Sequence, residues 1–121
     1  MPLKILLVDD DEGFRNTTAL ALESEGCTVT QADDGLTALH QLESERPDLI
    51  ISDLHMPRVD GIELSRLIRQ KPALAKTPFL MLTGLRTDLF ENSSQHRADL
   101  WLSKGIEFRS LYSQILRLAC R

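Results

Sequence analysis

Four short apolar runs, each halted by a residue with chemistry to offer, set the tightest limit on how this chain can fold. "ILLV" (5–8) stops at Asp9, and "LII" (49–51) passes through Ser52 to Asp53. "FLML" (79–82) stops at Thr83, and "LWL" (100–102) passes through Ser103 to Lys104. Runs of this length, bounded by Asp, Pro, Thr or Ser, fit buried strands and are too short for helices. Their apolar character does not alternate, as expected for strands covered on both faces of a parallel sheet. "CTVTQA" (27–32) does alternate, in the manner of a half-exposed edge strand.

Helical patterns fill the gaps. Phe14, Thr18, Ala21 and Leu22 form one stripe, with Asp11 as its N-cap and Gly26 as its C-cap. Leu39 and Leu42 mark a second helix over about 35–45, which must stop before Pro47. Leu64, Leu67 and Ile68 mark a third, and Phe108, Leu111, Ile115 and Leu118 the last. The fourth crossover, "RTDLFENSSQHR" (about 86–97), offers only Leu89 and Phe90 for burial, so a short or mobile helix is expected there.

Five strand–helix alternations predict an α/β, flavodoxin-like, doubly wound sheet of five parallel strands, helices on both faces. The edge-like second strand selects the order 2-1-3-4-5. At 121 residues the chain is read as one domain, 1–121, with a single core. A net charge of −4 gives no general attraction to nucleic acid or to an anionic membrane. Cys27 and Cys120 lack metal-ligand spacing and read as reduced thiols. No signal peptide is visible, and no apolar run approaches the roughly 20 residues that span a bilayer. A soluble, cytoplasmic protein is expected.

In a sheet of this order, ligands sit at the carboxyl ends of the strands, beside the switch between strands 1 and 3. Asp9, Asp10 and Asp53 converge there, and clustered carboxylates repel unless one takes a proton or a cation joins them. Mg²⁺ suits one or two carboxylates with waters and a phosphate. Lys104 adds a positive point charge and Thr83 a hydroxyl, which together make a pocket suited to phosphoryl transfer with an aspartate nucleophile. Each residue also has a plainer reading, as helix cap, strand terminator, turn hydroxyl or surface lysine. Convergence favours the chemical one. Calcium binding through "DDDEG" is disfavoured, because the twelfth loop position is Leu20 instead of Glu.

"LLVDDD", "LIISDLHMPRVDG", "FLMLTG" and "LSKG" together resemble the response-regulator receiver domain of two-component signalling, along essentially the whole chain. The resemblance implies that Asp53 accepts a phosphoryl group from a sensor histidine kinase or a histidine phosphotransfer protein. It implies Mg²⁺ on Asp10, Asp53 and the backbone carbonyl of His55, with Asp9 acting through water. Thr83 and Lys104 would contact the phosphoryl oxygens, and Trp101 stands at the switch aromatic's position, paired with Thr83. Gly61 would open the third helix. Such a domain catalyses no turnover and would pass its signal to an unidentified downstream protein, with phosphorylation-driven homodimerisation among its outcomes.

Two departures stand out. Gly105 follows the lysine where the family usually has Pro, commonly in cis. A cis bond before a non-proline costs about 2.5–4 kcal/mol, so a trans peptide or a more flexible loop is predicted. Trp101 replaces the usual Tyr or Phe, and its bulk is expected to hold one rotamer. His40 and His96 read as surface residues. With no output domain expected in this chain, it would act as a stand-alone module or relay. The alternative is a receiver-fold binding module that never uses phosphate. A dehalogenase-like phosphatase with Asp9 as nucleophile fits poorly, since Asp53 would then have no role.

Overall fold

The computed structural model of the chain describes residues 2–84 and 96–120. Five parallel strands form one sheet: β1 (Lys4–Val8), β2 (Thr28–Ala32), β3 (Leu49–Ser52), β4 (Phe79–Thr83) and β5 (Leu100–Ser103). Their order is β2-β1-β3-β4-β5, as the sequence predicts. The described helices are α1 (Glu12–Ser24), α2 (Gly35–Gln41), α3 (Gly61–Arg69) and α4 (Phe108–Ala119), with a 3₁₀ turn at Pro72–Leu74. The helix predicted over about 86–97 falls mainly outside the described residues.

The pleat explains why the central strands are apolar throughout. Leu6 and Val8 join Ile50, Phe79 and Met81 against Ala38 of α2, its C-cap Leu42, and Leu64 and Ile68 of α3. Ile5 and Leu7, one residue out of phase, join Ile51, Leu80 and Leu82 against Leu22 of α1 and Leu111 and Ile115 of α4. Alternate residues of one strand thus fill two separate cores. Burying each such side chain contributes roughly 1.5–3 kcal/mol.

The helix ends follow their local chemistry. The Asp11 carboxylate caps α1 by accepting the Phe14 N–H, and Asp34 and Asp60 do the same for α2 and α3. Gly26, at φ 93°, ends α1, with its N–H on the Glu23 carbonyl and the Cys27 N–H on the Leu22 carbonyl. The α2 helix stops earlier than its pattern predicts. Its continuation tightens into turns, with Glu43 N–H on the His40 carbonyl and Ser44 N–H on the Gln41 carbonyl. The Arg46 guanidinium then takes the carbonyls of Leu42 and Glu45, groups that a longer helix would have used itself.

Gly61 starts α3 directly beneath the end of β3, its N–H donating to the Leu54 carbonyl. A Cβ at this position would lie 2.3 Å from the Asp53 carbonyl oxygen and 2.7 Å from the Met81 sulfur. The neighbouring atom is backbone and cannot give way cheaply. Gly61→Ala should therefore cost about 2–3 kcal/mol of stability, in the range of overpacked core sites. Urea denaturation measures it, and a loss within a few tenths of a kcal/mol would show that the helix start is free to shift.

Candidate functional site

The register of the sheet brings the chemical residues together at one end. Val8 pairs with Ser52, so Asp9 and Asp53 both emerge one residue later. Main-chain bonds fix these exits, with Asp53 N–H on the Val8 carbonyl and Asp9 N–H on the Ala32 carbonyl. Carboxylate oxygens of Asp9, Asp10 and Asp53 all lie within 4.8 Å of one another. Asp9 and Asp53 are buried, while Asp10 is exposed at the rim. Three hard oxygen donors opening to solvent on one side fit a small divalent cation that keeps part of its water shell.

Lys104 enters from the far side. Its Nζ lies 2.8 Å from Asp9 Oδ2 and 3.2 Å from Asp53 Oδ2. The residue is carried on the turn after β5, where its N–H bonds the Thr83 carbonyl. No cis peptide occurs among the described residues, so the bond to Gly105 is trans, as predicted. The Gly105 N–H rests on Ser103 Oγ instead. Lys104 therefore reaches both carboxylates from a loop without proline.

The second Asp53 oxygen, Oδ1, accepts the Leu54 N–H at 2.7 Å. Asp9 Oδ1 accepts the Asp11 N–H. Burial pushes the Asp9 carboxyl above the ordinary carboxylate range; the neighbouring Asp53 charge adds to this, and the Lys104 and Asp11 donors only partly offset it. For Lys104, burial alone would lower the pKa. The hydrogen bond to Asp9 and the charges of Asp53 and Asp9 outweigh it and hold the ammonium above its usual value.

Thr83 is buried at the end of β4, opposite Ser103 in the register. His55 is exposed on the loop two residues beyond Asp53. Trp101, on β5, pairs with Met81 of β4 and is 8% exposed, facing the core. Its indole N–H donates to His96 Nδ1 at 3.4 Å, and the two rings meet edge-to-face. His96 thus differs from the surface residue expected. It is half-buried, and its Nδ1 also accepts the Ala98 N–H. His40 is on the surface, beside Glu43.

Other contributors were not singled out from sequence. Arg15 donates to the Asp9 carbonyl at 2.7 Å and to the Gln31 side chain, fixing the turn that carries the acidic pair. Arg58, on the loop that follows Asp53, adopts φ 70° and pairs with the buried Asp34 at the start of α2. Gly35 lies so close to the same loop that a Cβ there would sit 2.4 Å from the Val59 carbonyl oxygen. The "DG" at 34–35 was the available signal for this contact.

A raised folded-state value means that the native protein holds the Asp9 proton more tightly than the unfolded chain does. Stability is therefore lost as pH rises from the unfolded value through the folded one. Asp9→Asn should raise the thermal midpoint of the metal-free protein at neutral pH by a few degrees. That advantage should shrink towards about pH 4, where the unfolded carboxyl is itself protonated. The same substitution should weaken divalent-cation binding. A variant that melts below wild type at neutral pH would contradict this account.

Comparison with known proteins agrees with this geometry. A family model for the response regulator receiver domain matches residues 5–116. Protein PilG of Pseudomonas aeruginosa is 32% identical over 115 residues, covering 93% of this chain and 84% of PilG. The CAI-1 autoinducer sensor kinase/phosphatase CqsS of Vibrio cholerae is 43% identical over 82 residues, which are 67% of this chain and 12% of CqsS. The chain thus spans a small part of that relative's length. The receiver domain of a sensor histidine kinase from Pseudomonas aeruginosa, with a magnesium ion coordinated in its active site cleft, superposes with a TM-score of 0.90. That likeness covers 100% of both chains at 29% identity.

Proposed function

The chain belongs to the response regulator receiver domain family, and we propose that residues 1–121 form a single receiver domain that takes a phosphoryl group onto Asp53. One observation carries the assignment to Asp53. It is a buried carboxylate at a strand end, within 4.8 Å of two further carboxylates and in contact with one ammonium. The donor is a phosphohistidine on a sensor histidine kinase or a histidine phosphotransfer protein. The kinases among the relatives support that source.

An Asp53 oxygen attacks phosphorus, the P–N bond breaks, and the electron pair leaves on the histidine nitrogen. Leu54 N–H steadies Asp53 Oδ1, so that Oδ2 is the oxygen on the Lys104 side. Lys104 neutralises charge on the transferred group, and the Thr83 hydroxyl donates to one of its oxygens. Asp10 and Asp53, with Asp9 through water and the His55 carbonyl, would hold Mg²⁺. When bound, Mg²⁺ relieves carboxylate repulsion and neutralises phosphoryl charge.

With a phosphoryl group on Asp53, a new acceptor draws on Thr83, and β4 carries that pull to its neighbour Trp101 on β5. An unidentified protein, or a second copy of the chain, reads the changed surface. The protein works in the cytoplasm and turns over no separate substrate. Among the described residues, no helix is long and apolar enough to cross a membrane.

Intact-mass measurement after incubation with Mg²⁺ and a small acyl phosphate tests the assignment. One phosphoryl group should appear on wild type and none on Asp53→Asn or without metal. No addition to wild type, with Mg²⁺ binding intact, would favour the phosphate-independent binding module.

Gly84 follows Thr83, and a Cβ built there meets nothing within 4 Å among the described residues. Without a side chain at this position water can approach the phosphoryl group, which favours a short-lived phosphoform. Gly84→Val should lengthen that lifetime severalfold, followed by decay of the phosphorylated mass. An unchanged lifetime would show that water enters by another route.

A further inference from the structure

The Lys104 ammonium has a third neighbour besides its two carboxylates. Its Nζ stands 4.6 Å from the centroid of the Phe14 ring. We infer that Phe14 is a positioning residue for Lys104, holding the ammonium against its ring face where the sequence offers no proline to fix the loop. The inference rests on the receiver reading and names how the lysine of that site is held.

The two sides of this contact are unequally fixed. Phe14 lies in the first turn of α1, half-buried, with its own N–H tied to the Asp11 cap at 3.1 Å. Lys104 reaches the pocket on a flexible four-carbon stem, from a turn whose next residue is an exposed Gly105, with no proline ring to fix its backbone. Long lysine stems lose rotamer freedom on ordering, so something must select one arrangement. Asp9 and Asp53 select it while their oxygens are free to accept. Both carboxylates are claimed by other partners once a cation and a phosphoryl group enter the site.

The attraction of a ring face for a cation does not compete with those partners. Phe14 approaches from the α1 side and leaves the ammonium's remaining donors for phosphoryl oxygens. A ring placed there also keeps water from one side of the charge, which strengthens its field at the reacting centre. In the apolar stripe read from sequence, this phenylalanine would pass as ordinary core. Its partly exposed position over the lysine is what sets it apart.

Two measurements on wild type, Phe14→Leu and Phe14→Tyr test the inference. The first is the ¹H–¹³C spectrum of the metal-free protein, in which the Lys104 Cε protons should be shifted upfield by the ring current. Phe14→Leu should lose the shift and Phe14→Tyr keep it. The second is the rate of phosphorylation by a small acyl phosphate with Mg²⁺. Leucine should slow it by about three- to tenfold, in line with the strength of such contacts, and tyrosine should restore it.

A wild-type rate in Phe14→Leu, an unshifted Lys104 in wild type, or a Phe14→Tyr as slow as leucine would each overturn the inference. A wild type that accepts no phosphoryl group overturns the receiver reading instead. The ring-current shift then decides the Phe14–Lys104 contact on its own.

Discussion

Lys104 Nζ stands between two buried carboxylates, those of Asp9 and Asp53, and the rest of the molecule is arranged so that it can. Like unit charges about 4 Å apart repel by roughly 4 kcal/mol at the effective dielectric of a protein surface. That repulsion is a large fraction of the 5–15 kcal/mol by which a typical domain is stable. One shared ammonium offsets part of it, but burial, more than the neighbouring charge, still holds the Asp9 carboxyl above the ordinary carboxylate range. The site is therefore under electrostatic tension before any ligand arrives, and cation and anion can bind where that tension is relieved.

Such a cluster needs three backbones that deliver side chains to one place without moving. Parallel strands supply this, because their neighbours fix each exit by main-chain bonds. Asp53 N–H on the Val8 carbonyl, Asp9 N–H on the Ala32 carbonyl and Lys104 N–H on the Thr83 carbonyl are three examples, from three of the four strand pairs. Two separate cores lock the strands, one from either face. The polar residues thus sit at the mouth of a rigid scaffold, and their lost solvation is offset by apolar burial elsewhere.

What could be read from sequence followed from locality. Each strand announced itself because its run is apolar on both faces, and β2 betrayed its edge position by alternating. Asp9, Asp10, Asp53, Thr83 and Lys104 were recognisable because each ends or follows such a run. The end of α2 was missed by several residues, since Arg46 takes carbonyls that the apolar pattern assigns to helix. The role of His96 was hidden because it depends on the approach of Trp101, whose ring meets it through the tertiary fold. Phe14 carried no mark at all. Its ring serves the core pattern equally well until Lys104 is placed above it.

The loop from residue 54 to residue 60 is bracketed by two glycines that belong to different helices. Gly61 sits beneath the Asp53 carbonyl, and Gly35 presses on Val59. The loop's path and length are fixed at both ends, while His55, Pro57 and Arg58 are exposed between them. In evolutionary terms, this separates what must stay from what can vary. Exposed side chains such as His55 and Pro57, at the rim of the acidic cluster, can be exchanged without reopening the fold, because the backbone that carries the cluster is held from elsewhere.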